Sequence, residues 1–188
     1  MFFIEKEKHK FSLSNPALLV VDVQNYFFDK TSPAYLRGSE RILENIKELI
    51  EGVMGKIPII GTLHIGGSNR MKNWWGNIVE DEWAKLMIED YKFNHIIKKD
   101  NYDAFYKTSL EEILNSLKVD QLIITGVMTH LCCETTARSA FVRGYEVIMV
   151  EDCLWDKDEW YHYASLKNLA HGFAVISNKE EILKNLRK

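Results

Sequence analysis

The amino-acid sequence predicts an α/β fold, a single domain in which two layers of helices cover a six-stranded, mostly parallel sheet. Short runs rich in β-branched residues alternate with longer segments of helical spacing along the 188 residues. The first run, residues 17–23 (ALLVVDV), is largely apolar on both faces, as expected of a strand buried inside a parallel sheet. No repeat, low-complexity stretch or linker interrupts the alternation, so residues 1–188 are predicted to form one three-layer α/β/α domain.

The predicted elements place chemical side chains at the ends of strands. Strands are predicted at residues 17–23, 57–64, 95–97, 121–125, 146–150 and 173–176. Helices are predicted at residues 39–53, 108–117, 129–143, 160–170 and 179–186. For the second helix, Thr108 is the predicted N-cap and Glu111 stands at the capping-box position. Ligands bind beyond the carboxyl ends of parallel strands, which directs attention to the residues from Asp22, Lys98 and Gly126 onward.

The composition excludes several classes of function. A formal net charge of −3 provides no basic surface for nucleic acid. No stretch approaches the roughly 20 apolar residues of a membrane span, and the N-terminal residues lack the apolar core of a signal peptide. Three cysteines, two of them adjacent, are poor material for disulfides and indicate a reducing compartment. We therefore expect a cytoplasmic protein that acts on a small molecule, without a nucleic-acid or membrane partner.

Two predicted strand ends carry charged side chains, each with two interpretations. Asp22 interrupts the end of the first apolar strand. Burial there raises the pKa of a carboxyl and suits it to proton transfer, but an aspartate at this position can equally cap a turn. Lys98 and Lys99 follow the third strand, where a lysine either supplies positive charge to an anionic site or lies in solvent. Neither segment alone decides between its interpretations.

The segment after the fourth strand carries the strongest signal. Residues 125–135 (TGVMTHLCCET) pass from a strand through a glycine turn into a helix, with Cys132 in its first turn. The helix dipole and free N–H groups there favour a thiolate, and the N–H groups can also bind an oxyanion. An isolated cysteine is more often inert packing, as we expect of Cys153. Because Cys132 and Cys133 point about 100° apart on a helix, only one can face the site.

Three stretches combine these features: LLVVDVQNYF from Leu18, KKDNYDAFYKTSLEEIL from Lys98 and LIITGVMTHLCCETTARSAFVRGYEVIMVED from Leu122. Together they resemble the isochorismatase-like cysteine hydrolase family, which includes nicotinamidases, N-carbamoylsarcosine amidases and ureidoacrylate amidohydrolases. The resemblance covers nearly the whole chain. It implies the same Rossmann-like three-layer fold, and a homo-oligomer, either a dimer or a tetramer.

The resemblance also implies a catalytic triad. The Asp–Lys–Cys triad of the family falls on Asp22, Lys99 and Cys132. Lys99 is preferred to Lys98 because the family's lysine stands six residues before a phenylalanine, which is here Phe105. By this resemblance Asp22 accepts the thiol proton, the thiolate attacks an amide or ureido carbonyl, and water resolves the thioester.

An oxyanion hole is implied next to the nucleophile. In the family a cis peptide precedes the nucleophile turn, and it falls here between Val127 and Met128. The backbone N–H groups of Met128 and Cys132 are then the expected donors to the oxyanion.

Departures from the family pattern bear on the substrate and on metals. Nicotinamidases carry a metal site built on an Asp-x-His pair. Here His64 matches the histidine, but Thr62 stands in place of the aspartate, so no metal and no cofactor is expected. True isochorismatases lack the nucleophilic cysteine. A small amide or ureide is therefore the expected substrate, with a non-amide substrate, a Cys132–Cys133 redox pair and an inactive paralogue as alternatives.

An inserted, tryptophan-rich segment, residues 66–91, is expected near the site. Trp74 and Trp75 are predicted to line a substrate pocket opposite Phe27, and His64 and Tyr102 complete this predicted pocket. The alternative is that the tryptophans cover the sheet edge or a subunit interface.

Overall fold

The computed structural model describes residues 2–76 and 81–186. Its strands are β1 (Pro16–Val21), β2 (Ile59–His64), β3 (His95–Lys99), β4 (Gln121–Val127), β5 (Glu146–Trp155) and β6 (Val175–Ser177). They form one sheet in the order β3-β2-β1-β4-β5-β6, and every pairing is parallel. The predicted α/β fold is confirmed, with a sheet that is parallel throughout.

Helices cover both faces of this sheet. They are α1 (Phe2–Lys6), α2 (Asn25–Phe28), α3 (Glu40–Val53), α4 (Asn69–Trp75), α5 (Leu110–Ser116), α6 (Glu134–Val142), α7 (Glu159–Gly172) and α8 (Lys179–Asn185). A π-helical turn, Thr129–Cys133, leads directly into α6. Within the described residues, no helix combines the length and apolar character needed to cross a membrane.

Two apolar clusters hold the layers together, because alternate residues of each strand point to opposite faces. On β1, Leu19 and Val21 point into a cluster with the buried side chains of α5, α6 and α7. Leu18 and Val20 point the other way, into a cluster with α3 and α8. The strands are therefore buried on both faces, as the apolar run at residues 17–23 predicted.

Several element boundaries differ from the prediction for local reasons. Helix α5 begins at Leu110, not at Thr108, and the Thr108 hydroxyl accepts the Leu110 N–H (3.2 Å) from outside the helix. Glu111 was predicted for the capping box of this helix. Its carboxylate instead lies 3.2 Å from Nε of Arg143, the residue that follows α6. The short helices α1, α2 and α4 were not predicted, because their residues show no apolar spacing of helical period.

The main chains of β1 and β4 approach closely just before their carboxyl ends. Gly126 is paired with Val21 and has a φ of +111°, a conformation that favours glycine. A Cβ at this position would lie 2.0 Å from the Val21 carbonyl oxygen. Only glycine allows the two strands to lie this close together.

His162 on α7 makes the fold sensitive to acid. Its side chain is buried, its Nδ1 lies 2.9 Å from the Thr129 hydroxyl, and burial lowers its pKa to about 4, although Asp156 opposes the shift. The unfolded chain, with a histidine pKa of about 6.5, therefore binds more protons below that pH. Above pH ~6.5 the folded state is therefore not destabilised by His162, and the unfolding free energy decreases as pH falls from ~6.5 towards ~4.

We expect the wild type to lose about 2 kcal/mol of unfolding free energy between pH 7.5 and pH 5 through this residue. Urea denaturation of wild type and His162→Gln at both pH values measures the difference, with the exposed His95→Gln as matched control. Parallel pH profiles for wild type and His162→Gln would contradict the assignment.

Candidate active site

The three predicted catalytic side chains meet at the carboxyl edge of the sheet. Asp22 directly follows β1, Lys99 is the last residue of β3, and Cys132 lies in the π-helical turn after β4. Although β2 separates β1 from β3, the long lysine side chain spans the distance. Lys99 Nζ lies 2.7 Å from Asp22 Oδ2 and 3.3 Å from Cys132 Sγ.

All three side chains are removed from solvent. Asp22 is 0% exposed, Lys99 3% and Cys132 4%. The neighbouring Lys98 is exposed, which agrees with the choice of Lys99 from the sequence. A third contact of Lys99 Nζ, to the carbonyl oxygen of Asn101 at 2.9 Å, fixes the ammonium between the strand ends.

The Thr62 side chain holds Asp22 in place, a role that was not predicted from the sequence. Asp22 has a φ of +51°, a left-handed conformation that aspartate tolerates better than most residues. Its N–H donates to the Thr62 hydroxyl oxygen (3.1 Å), and the Thr62 hydroxyl donates to Asp22 Oδ1 (2.6 Å). With Oδ1 occupied in this way, Oδ2 faces Lys99.

The predicted pKa directions of Asp22 and Cys132 were both wrong, for opposite reasons. Burial does oppose ionisation of Asp22, but the charge of Lys99 outweighs it and holds the pKa of Asp22 well below the usual value. The pKa of the Cys132 thiol is raised, mainly by burial and further by Asp22, although Lys99 opposes the shift. The resting site therefore holds a carboxylate, an ammonium and a neutral thiol, instead of the thiolate that the helix dipole alone predicted.

The turn that carries Cys132 has an unusual backbone. The peptide bond between Val127 and Met128 is cis. The Met128 carbonyl accepts the N–H groups of both Leu131 and Cys133, at 3.2 Å each, and the bond from Cys133, five residues on, is of the π-helical type. Such turns occur frequently at functional sites.

Asp156, which the sequence analysis missed, fixes the same turn. It is fully buried just beyond the end of β5. Asp156 Oδ2 accepts the N–H of His130 (2.7 Å), and its carboxylate lies 2.7 Å from His130 Nδ1, while the His130 ring stacks on Tyr161 with centroids 4.4 Å apart. Its position at the carboxyl edge of the sheet was the signal that could have found it.

His64, predicted for the substrate pocket, lies within the triad itself. Its Nδ1 is 3.2 Å from Lys99 Nζ, and 3.8 Å from both Asp22 Oδ2 and Cys132 Sγ. The imidazole therefore contacts the Lys99 ammonium, which lies between Asp22 and Cys132.

The inserted segment lies beside the site through contacts at two places along it. Met87 N–H donates to the Val23 carbonyl, and Gln24 pairs with Leu86 in an isolated antiparallel bridge, so residues 84–87 follow the chain that leaves Asp22. Earlier in the segment, Trp75 Nε1 donates to the Tyr102 hydroxyl (2.6 Å), three residues after Lys99. Residues 77–80 lie outside the described part of the chain.

The aromatic residues predicted for the pocket occupy different environments. Trp74 is 75% exposed and Trp75 51% exposed. Phe27 is buried in the apolar cluster of α3 and α8, where its ring packs edge-on against Tyr26 at 5.0 Å. No described contact joins Phe27 to the tryptophans, so their shared pocket stays a prediction.

A divalent metal does not fit the residues present. Asp22, His64 and Cys132 each offer a potential ligand atom, and these atoms lie within 4.8 Å of one another. Lys99 Nζ, however, is within 3.3 Å of all three, so a metal ion there would adjoin a buried like charge. The hydroxyl of Thr62, in the position of the nicotinamidase aspartate, is already bonded to Asp22.

Comparisons with known proteins agree with this arrangement. The family model for the isochorismatase domain matches residues 16–181. Nicotinamidase 3 of Arabidopsis thaliana is 34% identical over 182 residues, which cover 90% of this chain and 88% of that protein. N-carbamoylsarcosine amidase of Arthrobacter sp is 23% identical over 189 residues, covering 92% of this chain and 72% of that protein.

Among solved structures, a cysteine hydrolase from Pseudomonas syringae pv. phaseolicola 1448A has a TM-score of 0.89 at 23% identity, covering 95% of this chain and 96% of that chain. This similarity concerns the fold alone, whereas the family model spans most of the sequence. The resemblance predicted from three sequence stretches is confirmed. The chain belongs to the isochorismatase family and is a hydrolase of that family.

Proposed function

We propose that this hydrolase cleaves a C–N bond of a small amide or ureide through a covalent intermediate on Cys132. The observation that carries the proposal is the position of Lys99 Nζ, 2.7 Å from a buried carboxylate and 3.3 Å from a buried thiol. One cation therefore contacts both the group that would accept a proton and the group that would lose it.

The first step is a proton transfer from Cys132 Sγ to Asp22. The site carries one negative and one positive charge before and after this transfer, because the charge moves from the carboxylate to the sulfur. Lys99 contacts both atoms, so the ammonium stabilises either location of the charge. A thiol with a raised pKa can then react only while its proton is being accepted by Asp22.

The next steps break and restore bonds at the same carbonyl carbon. The thiolate adds to the carbonyl, the C–N bond of the tetrahedral intermediate breaks, and Asp22 returns its proton to the leaving nitrogen. Water then adds to the acyl-sulfur intermediate and gives a proton to Asp22. The C–S bond breaks, the acid product leaves, and the sulfur takes the proton back from Asp22.

Backbone N–H groups of the nucleophile turn are the proposed donors to the oxyanion. Three amides of this turn are already used, since Leu131 and Cys133 donate to Met128 and His130 donates to Asp156. The Met128 and Cys132 amides are not among these three. This supports their assignment as preorganised donors to the oxyanion.

Ammonia release from a panel of primary amides and ureides, including nicotinamide and N-carbamoylsarcosine, tests the proposal. Cys132→Ala is expected to abolish turnover by at least about 10³-fold, whereas Cys133→Ser, one residue away, is expected to change it less than about threefold. Mass spectrometry of rapidly quenched wild type should find the acyl adduct on Cys132. Equal losses in the two variants would favour a dithiol pair. Turnover of a vinyl ether with no ammonia from any panel member would favour a non-amide substrate.

A further inference from the structure

His64 is a buried side chain whose chemistry the proposed steps do not use. Its side chain is 7% exposed. The backbone N–H of His64 donates to Gln24 Oε1 (2.8 Å), and Gln24 Nε2 donates to the backbone carbonyl of His64 (3.1 Å). Because Gln24 is itself fully buried, this pair of bonds fixes the backbone from which the imidazole extends.

The neighbour of Nδ1 determines the tautomer of the ring. Lys99 Nζ lies 3.2 Å from His64 Nδ1, and an ammonium can only donate hydrogen bonds. Nδ1 must therefore accept and carry no hydrogen. The nearest Asp22 oxygen is 3.8 Å away, too far to accept a hydrogen bond from Nδ1. The ring is consequently neutral, with its hydrogen on Nε2.

The Nε2–H group is then a buried donor beside the nucleophile. Nε2 has no hydrogen-bond partner among the described residues, while Nδ1 of the same ring is 3.8 Å from Cys132 Sγ. A buried donor without an acceptor is destabilising, so such groups in native structures require an explanation. A substrate acceptor oxygen would satisfy this donor.

We propose that His64 Nε2–H binds a neutral acceptor oxygen of the substrate, a second carbonyl a few bonds from the one that is cleaved. This inference rests on the proposed function and narrows its substrate class to amides and ureides that carry a second carbonyl, such as acylureas. His64 is then a specificity-determining residue that contacts substrate, in place of the metal ligand that a nicotinamidase has at this position.

The charge balance of the site favours a neutral oxygen over a carboxylate. The three N–H groups of Lys99 face three acceptors, the Asn101 carbonyl, His64 Nδ1 and Cys132 Sγ, and its positive charge is paired with Asp22 Oδ2. Lys99 thus has no donor left for a second anion. A carboxylate placed against the neutral imidazole would be buried without a cation.

Nitrogen NMR of ¹⁵N-histidine-labelled protein tests the tautomer without requiring turnover. At pH 7 we expect the His64 signals of a neutral ring protonated at Nε2. In a Cys132→Ala protein, N-acetylurea is expected to shift the Nε2–H resonance, whereas N-ethylurea, which lacks the second carbonyl, and N-carbamoylglycine, which carries a carboxylate, should leave it unchanged.

A matched pair of substitutions tests the contact kinetically. His64→Gln can place an amide N–H near the position of Nε2, whereas His64→Asn can place its amide only near Nδ1. We expect His64→Asn to lose about 10- to 100-fold in kcat/KM for N-acetylurea but less than about threefold for N-ethylurea. His64→Gln should retain most activity towards N-acetylurea, and thermal unfolding verifies that both variants fold.

The outcomes separate this inference from the proposed function. An imidazolium or an Nδ1–H tautomer at pH 7 would overturn the inference, as would a shift caused equally by N-ethylurea or only by N-carbamoylglycine. If no amide or ureide releases ammonia, the proposed function fails. The NMR experiment would still decide the tautomer and the acceptor.

Discussion

An Asp22→Asn protein is expected to turn over substrate about 10²- to 10⁴-fold more slowly than wild type, while its Cys132 thiol becomes more acidic. Burial is the main cause of the raised thiol pKa. Lys99 opposes it and the Asp22 carboxylate adds to it. Asparagine removes the negative charge and leaves the ammonium 3.3 Å from the sulfur, which favours the thiolate. Asparagine cannot, however, accept the thiol proton or return one to the leaving nitrogen.

The rate of iodoacetamide alkylation between about pH 6 and pH 9 measures the thiolate, with mass spectrometry to locate the label. Asp22→Asn should alkylate at Cys132 at a lower pH than wild type. Asp152→Asn, at a carboxylate that accepts the N–H of Lys179, serves as the control and should resemble wild type. Slower alkylation of Asp22→Asn than of wild type, or turnover within threefold of wild type, would refute the assigned role.

A Lys99→Met substitution is expected to have the largest combined effect, because it removes the cation from a fully buried carboxylate. Activity should fall by about 10³-fold or more, since neither the Asp22 carboxylate nor the developing thiolate retains its counterion. The unfolding free energy should fall by about 3–5 kcal/mol, the usual result of breaking a buried ion pair from one side.

The pH dependence of this destabilisation has a definite sign. In wild type the Asp22 pKa is lowered, so its stabilisation is present above about pH 4 and is lost as pH falls through its folded value. The Lys99 pKa is raised, so its stabilisation is present below about pH 10 and is lost at higher pH. Without Lys99, burial raises the pKa of Asp22, and the variant should lose further stability as pH rises from about 5 to 8.

Urea denaturation at pH 5 and pH 8 compares Lys99→Met with Lys98→Met, the exposed neighbour on the same strand. Lys98→Met should match wild type at both pH values. The double variant Asp22→Asn/Lys99→Met should regain part of the stability but none of the activity, because it no longer buries an unpaired charge. A Lys99→Met protein as stable as Lys98→Met at pH 8 would contradict the ion pair.

The meeting of Asp22, Lys99 and Cys132 was predictable because parallel strands bring their carboxyl ends to one edge of the sheet. Asp22 and Lys99 stand at strand ends, and Cys132 follows a third strand by five residues, so the strand pattern alone placed them on one edge. The resemblance then selected Lys99 over Lys98. The pKa direction of Asp22 was not predictable, since the sequence indicates burial but not the 2.7 Å between its carboxylate and an ammonium. For Cys132 the helix dipole was considered, but not the burial that raises its pKa.

Other features depend on contacts between distant segments. The hydroxyl of Thr62 orients Asp22 from the neighbouring strand, and Asp156 fixes the nucleophile turn from beyond β5. The position of residues 85–87 follows from main-chain pairing with the loop after β1, which has no sequence signature. The homo-oligomer and the cytoplasmic location stay predictions.

The close contact between β1 and β4 at Gly126 also fixes the positions of two residues of the candidate site. Gly126 lies against Val21, the residue before Asp22, and leads into the turn of Cys132. The positions of Asp22 and of the turn that carries Cys132 therefore follow from a direct contact between two main chains. Substitutions among residues 84–87, which pair with the chain after β1, leave this contact between the two strands in place.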